Sequence, residues 1–189
     1  MRDRGLFWSP VPDWSRASIQ HEGLSIAAVA PHAAWLVSGN FAAFLERQGV
    51  RFGEAGNRYV LRLAPDRLLF VSFGADEVTF GWSDGCAISD VSDGYVLFDI
   101  TGPATLELMR LGALHDFEAK SDTASASMLF AGQRVILARV PQGWRVHVER
   151  PDAAAIWQWL KRAASAWAKP PADGSSRPSP HHPEQQVAS

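Results

Sequence analysis

The chain has one cysteine, Cys86, in 189 residues. That count excludes an internal disulfide and any cluster of thiolate metal ligands. It also lacks a dominant sign of charge: 18 basic side chains stand against 20 acidic ones. No overall field would steer it onto nucleic acid or an acidic membrane. No apolar run approaches the roughly 20 residues that a spanning helix needs. The opening "MRDRGLFWSPVPDWS" carries charge without an apolar stretch of signal-peptide length. A cytoplasmic location is expected. Motifs are scarce too, with no P-loop, no dinucleotide G-x-G-x-x-G and no G-x-S-x-G nucleophile elbow. What is present is hydrophobic content of 47%, including eight tryptophans and ten phenylalanines. That is enough for one good core or two small lobes.

Three regions are expected. Residues 1–20 read as a partly ordered arm with Trp8 and Trp14 as anchors. Residues 21–168 read as the folded domain. Residues 169–189, "KPPADGSSRPSPHHPEQQVAS", are rich in Pro and Ser and cannot offset the entropy of ordering, so they read as a disordered tail. Within the domain, "LSIAAVA" (24–30) and "AAWLVSG" (33–39) read as strands around a turn at Pro31-His32, followed by a helix over 40–48 that stops at Gly49. "YVLRLAPDRLLFVSF" reads as two strands hinged at Pro65-Asp66. "CAISDVSDGYVLFDITG" gives two more, "PATLELMRLG" a helix, and "RVILARVPQGWRVHVE" a hairpin hinged at 141–143. The last helix opens at Pro151-Asp152, with Ala153, Ile156, Trp157, Leu160 and Ala164 as its buried stripe.

The chain repeats its own punctuation. Gly39 and Gly49 are matched by Gly102 and Gly112 at a constant offset of 63, which also pairs Leu45 with Leu108, Arg47 with Arg110 and Ser38 with Thr101. Phe44 falls on Glu107 and Glu46 on Met109, so the match is in the punctuation more than in the packing face. The expected fold class is α+β, with two repeated strand-strand-helix-strand-strand halves that bury their apolar faces together.

Candidate chemical groups are few. His21, His32, His115 and His147 have no spacing that places two ligands on one helix, and His181 and His182 lie in the tail. His147 alternates with Arg145 and Glu149 opposite Trp144, Val146 and Val148, and is expected to be solvated. Cys86 has no activating neighbour in sequence and reads as core filler. Asp84, Asp90, Asp93 and Asp99 are the remaining acids. Asp84 and Asp93 stand beside glycines in "SDG" turns, where a short carboxylate bonds its own backbone. Asp99 is the one to watch as a base, with a structural role expected. Catalytic, cofactor-binding and metal-ligating residues are therefore expected to be absent from this chain. Trp157 and Trp159 cannot both face inward, since two helical residues turn through about 200°. Trp159 is then either a boundary residue or a docking anchor. Trp8, Trp14, Trp159 and Trp167 are the expected subunit-interface residues.

"CAISDVSDGYVLFDITGPATLELMRLG" resembles the strand-strand-helix opening of the glycine cleavage T-protein fold. Together with "RVILARVPQGWRVHVERPDAAAIWQWLKRAA", it is similar to the gamma subunit family of heterotetrameric sarcosine oxidase. The positions that carry the likeness are Gly102, Pro103, Asp152, Trp157, Trp159 and Leu160, within residues 20–168. The resemblance implies a noncatalytic subunit of a flavoenzyme complex. In that family the alpha chain holds NAD and folate, the beta chain holds FAD, FMN lies between the two, and the delta chain binds zinc. It further implies oxidation of the N-methyl group of sarcosine or a related amino acid in the partner chains, with the one-carbon unit passed to tetrahydrofolate. The rival expectation is a freestanding folate-dependent aminomethyltransferase-like protein. A folate-linked iron-sulfur assembly factor would show a K-G-C-x-x-G-Q stretch, which the sequence around Cys86 lacks.

Overall fold

Consecutive residues Leu68, Leu69, Phe70 and Val71 are all fully buried. Neighbouring side chains on a strand point to opposite faces, so a strand of this kind must lie between two layers. The whole molecule follows that rule. The computed structural model describes residues 11–29, 33–53, 55–74, 78–118 and 125–167. Trp8, the Pro31-His32 turn and the expected tail lie outside the described residues, as does the side chain of Trp167.

The strands are β1 (Ser18–His21), β2 (Leu24–Val29), β3 (Ala33–Gly39), β4 (Arg58–Ala64), β5 (Arg67–Ser72), β6 (Gly81–Ser83), β7 (Cys86–Asp90), β8 (Tyr95–Thr101), β9 (Ser125–Phe130), β10 (Gln133–Val140) and β11 (Gly143–Glu149). The helices are α1 (Ala42–Gln48), α2 (Thr105–Gly112) and α3 (Arg150–Trp167). A six-stranded sheet runs in the order β1-β2-β8-β11-β10-β9, and a five-stranded sheet in the order β4-β5-β3-β7-β6. Neighbouring strands within each sheet are antiparallel.

The sheets stack face to face and each has helices on its outer side. Phe98, Ile100, Val146 and Val148 of the six-stranded sheet meet Leu108 and Met109 of α2 and Ile156, Trp157 and Leu160 of α3. Trp35, Val60, Phe70 and Ile88 of the five-stranded sheet enclose Phe44 of α1. Between the sheets, Tyr59, Leu61, Leu69 and Val71 face Leu97, Ile136, Ala138 and Val140. The α+β class expected from sequence is observed. Among the described residues no helix is long and apolar enough to cross a membrane.

The halves differ from the expected ones in one respect. β2 and β3 follow each other in sequence yet lie in different sheets. The β1-β2 hairpin flanks β8, and the β6-β7 hairpin flanks β3. Each sheet is therefore completed by the hairpin that precedes the other sheet's central strand. The repeat survives this exchange. Gly39 ends β3 with φ +116° and Gly102 directly follows β8 with φ +107°. A methyl group on Gly39 would lie 2.6 Å from the Gly85 carbonyl oxygen, and one on Gly102 2.5 Å from that of Gly23. Both carbonyls belong to hairpin turns, and each accepts a hydrogen bond from just beyond the corner: Asn40 N–H to Gly85 at 3.0 Å and Ala104 N–H to Gly23 at 2.9 Å. Pro103 has no N–H to give, which moves the second bond one residue on. The helix ends do not match so well. Gly49 stops α1 in the left-handed conformation, as expected. Gly112 instead lies against the Phe130 ring, where any side chain would collide.

Two boundaries also move. The sheet begins at Ser18, so the end of the expected arm is part of it, and Trp14 packs edge-on against Phe98 and Trp157 at 5.5 and 6.1 Å. α2 begins at Thr105, which leaves Pro103 in the turn before it.

Candidate functional site

β11 alternates Trp144, Val146 and Val148 on one face with Arg145, His147 and Glu149 on the other. The alternation is as expected, but the second face is turned toward the other sheet. His147 is 0% exposed and Arg145 8%. The expectation of a solvated His147 is thus wrong: the second sheet covers the face that the sequence pattern marks as polar.

The covered polar groups are paired, partly within their own sheet and partly across the gap. Arg145 is the registered cross-strand partner of Asp99 on β8. Its Nε and a terminal nitrogen donate to the two carboxylate oxygens at 2.6 and 2.7 Å, a forked geometry suited to guanidinium and carboxylate. The guanidinium also lies 4.8 Å from the centre of the Phe73 ring, on the facing sheet's side. One residue pair along, His147 Nδ1 is 3.1 Å from the Ile136 carbonyl oxygen, and its Nε2 is 2.7 Å from the Tyr59 hydroxyl of β4. A carbonyl only accepts, so Nδ1–H donates to Ile136 and Nε2 accepts from Tyr59 in a neutral imidazole. Burial pushes the Tyr59 phenol well above its ordinary pKa, against the opposing pull of Arg145. Burial is the largest single influence on Arg145 and weakens its protonation, but the hydrogen bonds and charges of Asp99 and Tyr59 together outweigh it and the net shift is upward.

This seam holds an acid, two cations or potential cations and a phenol, yet each is spent on another protein group. Tyr59 stays a phenol, His147 has both nitrogens engaged, and Asp99 accepts from Arg145. The arrangement ties β4 of one sheet to β8, β10 and β11 of the other. It is suited to fixing how the sheets stack rather than to moving protons on a substrate.

The other expected residues are dispersed. Cys86 is buried, and its thiol is 3.1 Å from the Ser83 carbonyl oxygen. Burial pushes its pKa up, which disfavours the thiolate. Asp84 does not bond its own backbone: it pairs with Arg47 of α1 and accepts from the Ser83 hydroxyl. Asp93 meets Arg150 at the start of α3. The local carboxylate turn is made by Asp90, which accepts from the Ser92 N–H at 2.8 Å and hydroxyl at 2.6 Å. These bonds hold its carboxyl below the usual range. His115 packs edge-on against Phe117. Among the described residues, no three His, Cys, Asp or Glu side chains gather as a group that could hold a metal ion.

Of the four tryptophans expected at a subunit interface, Trp14 and Trp159 have described side chains. Trp14 is packed into the outer core, and Trp159 is half-buried with its ring edge-on to Phe130 at 5.1 Å. Among the described residues the exposed indole is Trp82, 76% accessible on edge strand β6, next to Phe80 at 61%. Leu111, Leu114 and Leu129 form a second exposed set. The sequence signal for Trp82 was its setting in "TFGWSDG", a three-residue strand bracketed by glycines with no room for a packed face.

Toward the open ends of β5 and β10 the seam widens into a cleft of about 280 Å³. Arg67 and Leu63 line it from one sheet; Tyr95, Arg134, Ile136 and Glu149 line it from the other.

These features define a class: a four-layer domain of two stacked antiparallel sheets capped by helices, with the polar groups of the seam between the sheets paired to one another. The same fold occurs in a chain of heterotetrameric sarcosine oxidase from Corynebacterium sp. U-96, solved in complex with pyrrole 2-carboxylate. The TM-score is 0.64 at 18% sequence identity, with 82% of this chain and 91% of that chain covered. No family model and no curated protein matches the sequence.

Proposed function

We propose that the chain is a noncatalytic subunit of a sarcosine oxidase-type complex, equivalent to the gamma subunit. The reading rests on one observation above the rest: the fold match spans nearly the full length of both chains. The similar chain is thus a separate polypeptide of comparable size, not a segment of a long multidomain one. The self-satisfied seam supports a scaffold role, because its acid and base groups already have protein partners. The T-G-P corner at Gly102 supports kinship with the T-protein fold. In this reading alpha, beta and delta partners carry FAD, FMN, NAD, zinc and tetrahydrofolate. They oxidise sarcosine or a related N-methyl amino acid, and this chain supplies shape. Trp82 and Phe80 replace Trp14 and Trp159 as the foremost interface residues, since exposed aromatics are enriched in interface centres.

Co-expression with the three partner chains, followed by sizing, tests the reading. The chain is expected to elute with the complex. If it stays monomeric beside assembled partners, the reading fails. Calorimetric titration of the isolated chain with tetrahydrofolate is expected to give no tight binding; tight binding would favour the transferase-like alternative.

A further inference from the structure

We propose that the cleft at the open end of the seam binds a small monocarboxylate with an apolar body. Tyr59 meets His147 between the two sheets, and the cleft has His147 in its lining together with residues of both sheets. Strand register places the lining groups. Tyr95 is the cross-strand partner of Glu149, and the Val135–Val148 pairing puts Arg134 next to Glu149 on the neighbouring strand. Arg67 opens β5 on the opposite sheet. Two guanidiniums therefore reach the mouth from facing walls, against one carboxylate. Among the described residues neither Arg67 nor Arg134 has a carboxylate within ion-pair range. The local surplus is one positive charge, which a single carboxylate neutralises.

The rest of the cleft defines the remainder of the ligand. Leu36, Leu63 and Ile136 give a hydrocarbon floor. Inorganic anions would leave that floor unmet, whereas a short apolar body would cover it. Burial, with the nearby charge of Glu149, raises the Tyr95 pKa, so its hydroxyl stays a hydrogen-bond donor at the mouth. His147 closes the base and is already held by Tyr59 and Ile136, so it forms wall rather than ligand contact. The volume, about 280 Å³, lies at the small end of ligand sites and suits one ring or a short branched chain.

The test uses the full chain and four probes: benzoate, benzyl alcohol, benzylamine and inorganic phosphate. Three of them share one apolar body and differ in charge. Benzoate is expected to bind at least about tenfold more tightly than either of the others, as one charge-assisted contact implies. Arg67→Gln and Arg134→Gln are each expected to weaken benzoate by about tenfold, with the unliganded thermal midpoint unchanged. Equal binding of benzyl alcohol, phosphate binding as tight as benzoate, no benzoate binding at about 50 mM, or benzoate affinity that survives both substitutions would each overturn the proposal. Salt gives a check that needs no variant: benzoate affinity should fall between about 20 and 500 mM NaCl, and indifference to salt would contradict a guanidinium site. The outcome concerns this cleft alone and is independent of whether the chain assembles with partners.

Discussion

The two faces of the six-stranded sheet are both buried, but they are buried by different means. The outer face presents Phe98, Ile100, Val146 and Val148 to α2 and α3 and is held by apolar contact. The inner face sets Leu97, Ile136, Ala138 and Val140 against the other sheet and adds to that apolar contact the paired groups Asp99, Arg145 and His147. Apolar contact is nondirectional and tolerates small shifts, whereas a forked ion pair and a two-ended histidine do not. The difference assigns the mutual register of the sheets to the directional Tyr59–His147 contact of the inner face, while the forked pair fixes β8 against β11 within one sheet.

Substitutions can break this comparison. The largest loss is expected from Phe98→Ala on the outer face, about 3–5 kcal/mol, because the ring is fully buried and stacks on Trp157. Denaturant titration reads it as a lower midpoint. Asp99→Ala follows at about 3 kcal/mol, chiefly because it strands the Arg145 guanidinium. Replacing both members of that pair with apolar residues should recover most of the loss, so a double-mutant cycle should show strong coupling. Additive losses would mean that the pair is not a unit. Tyr59→Phe should cost about 1–2 kcal/mol by removing the hydroxyl that serves His147.

Ser92→Ala is smaller again, about 1 kcal/mol at neutral pH, since the hydroxyl bonds Asp90 and also accepts from the Ala34 N–H. The folded-state pKa of Asp90 is depressed, so its contribution is present above the ordinary carboxylate pKa and lost as pH falls through the folded value. Stability measured against pH should therefore show wild type and Ser92→Ala converging in acid. The smallest change in stability is expected from Trp82→Ala, under about 0.5 kcal/mol for so exposed a side chain. The same substitution should weaken assembly by about 2 kcal/mol or more if Trp82 anchors the partner. A folded Trp82→Ala chain that assembles normally would remove β6 from the interface.

Much of the fold was legible in the sequence. The glycine corners were visible because no other residue tolerates the φ and the carbonyl approach at Gly39 and Gly102. The stripe of α3 was visible as 3.6-residue periodicity. Three strands were not visible, all at sheet edges: β1 and β6 are short with little to bury, and β9 (SASMLF) has only its end, at Phe130, fully buried. The hairpin exchange was hidden because local pattern says which residues form strands but not which strands pair. His147 shows the same limit at the site. Alternation on β11 gave the correct face, but a polar face looks alike whether water or a second sheet covers it. The seam's partners, Tyr59 and His147, lie 88 residues apart in sequence, and no motif spacing connects them.

The central proposal is that the seam is structural and that partner chains carry the chemistry. The most direct measurement is turnover of an N-methyl amino acid, per assembled complex, with Tyr59→Phe and His147→Gln combined in this chain. Turnover equal to wild type is predicted, with only the thermal midpoint lowered; loss of turnover in a complex that assembles and stays folded would contradict the account.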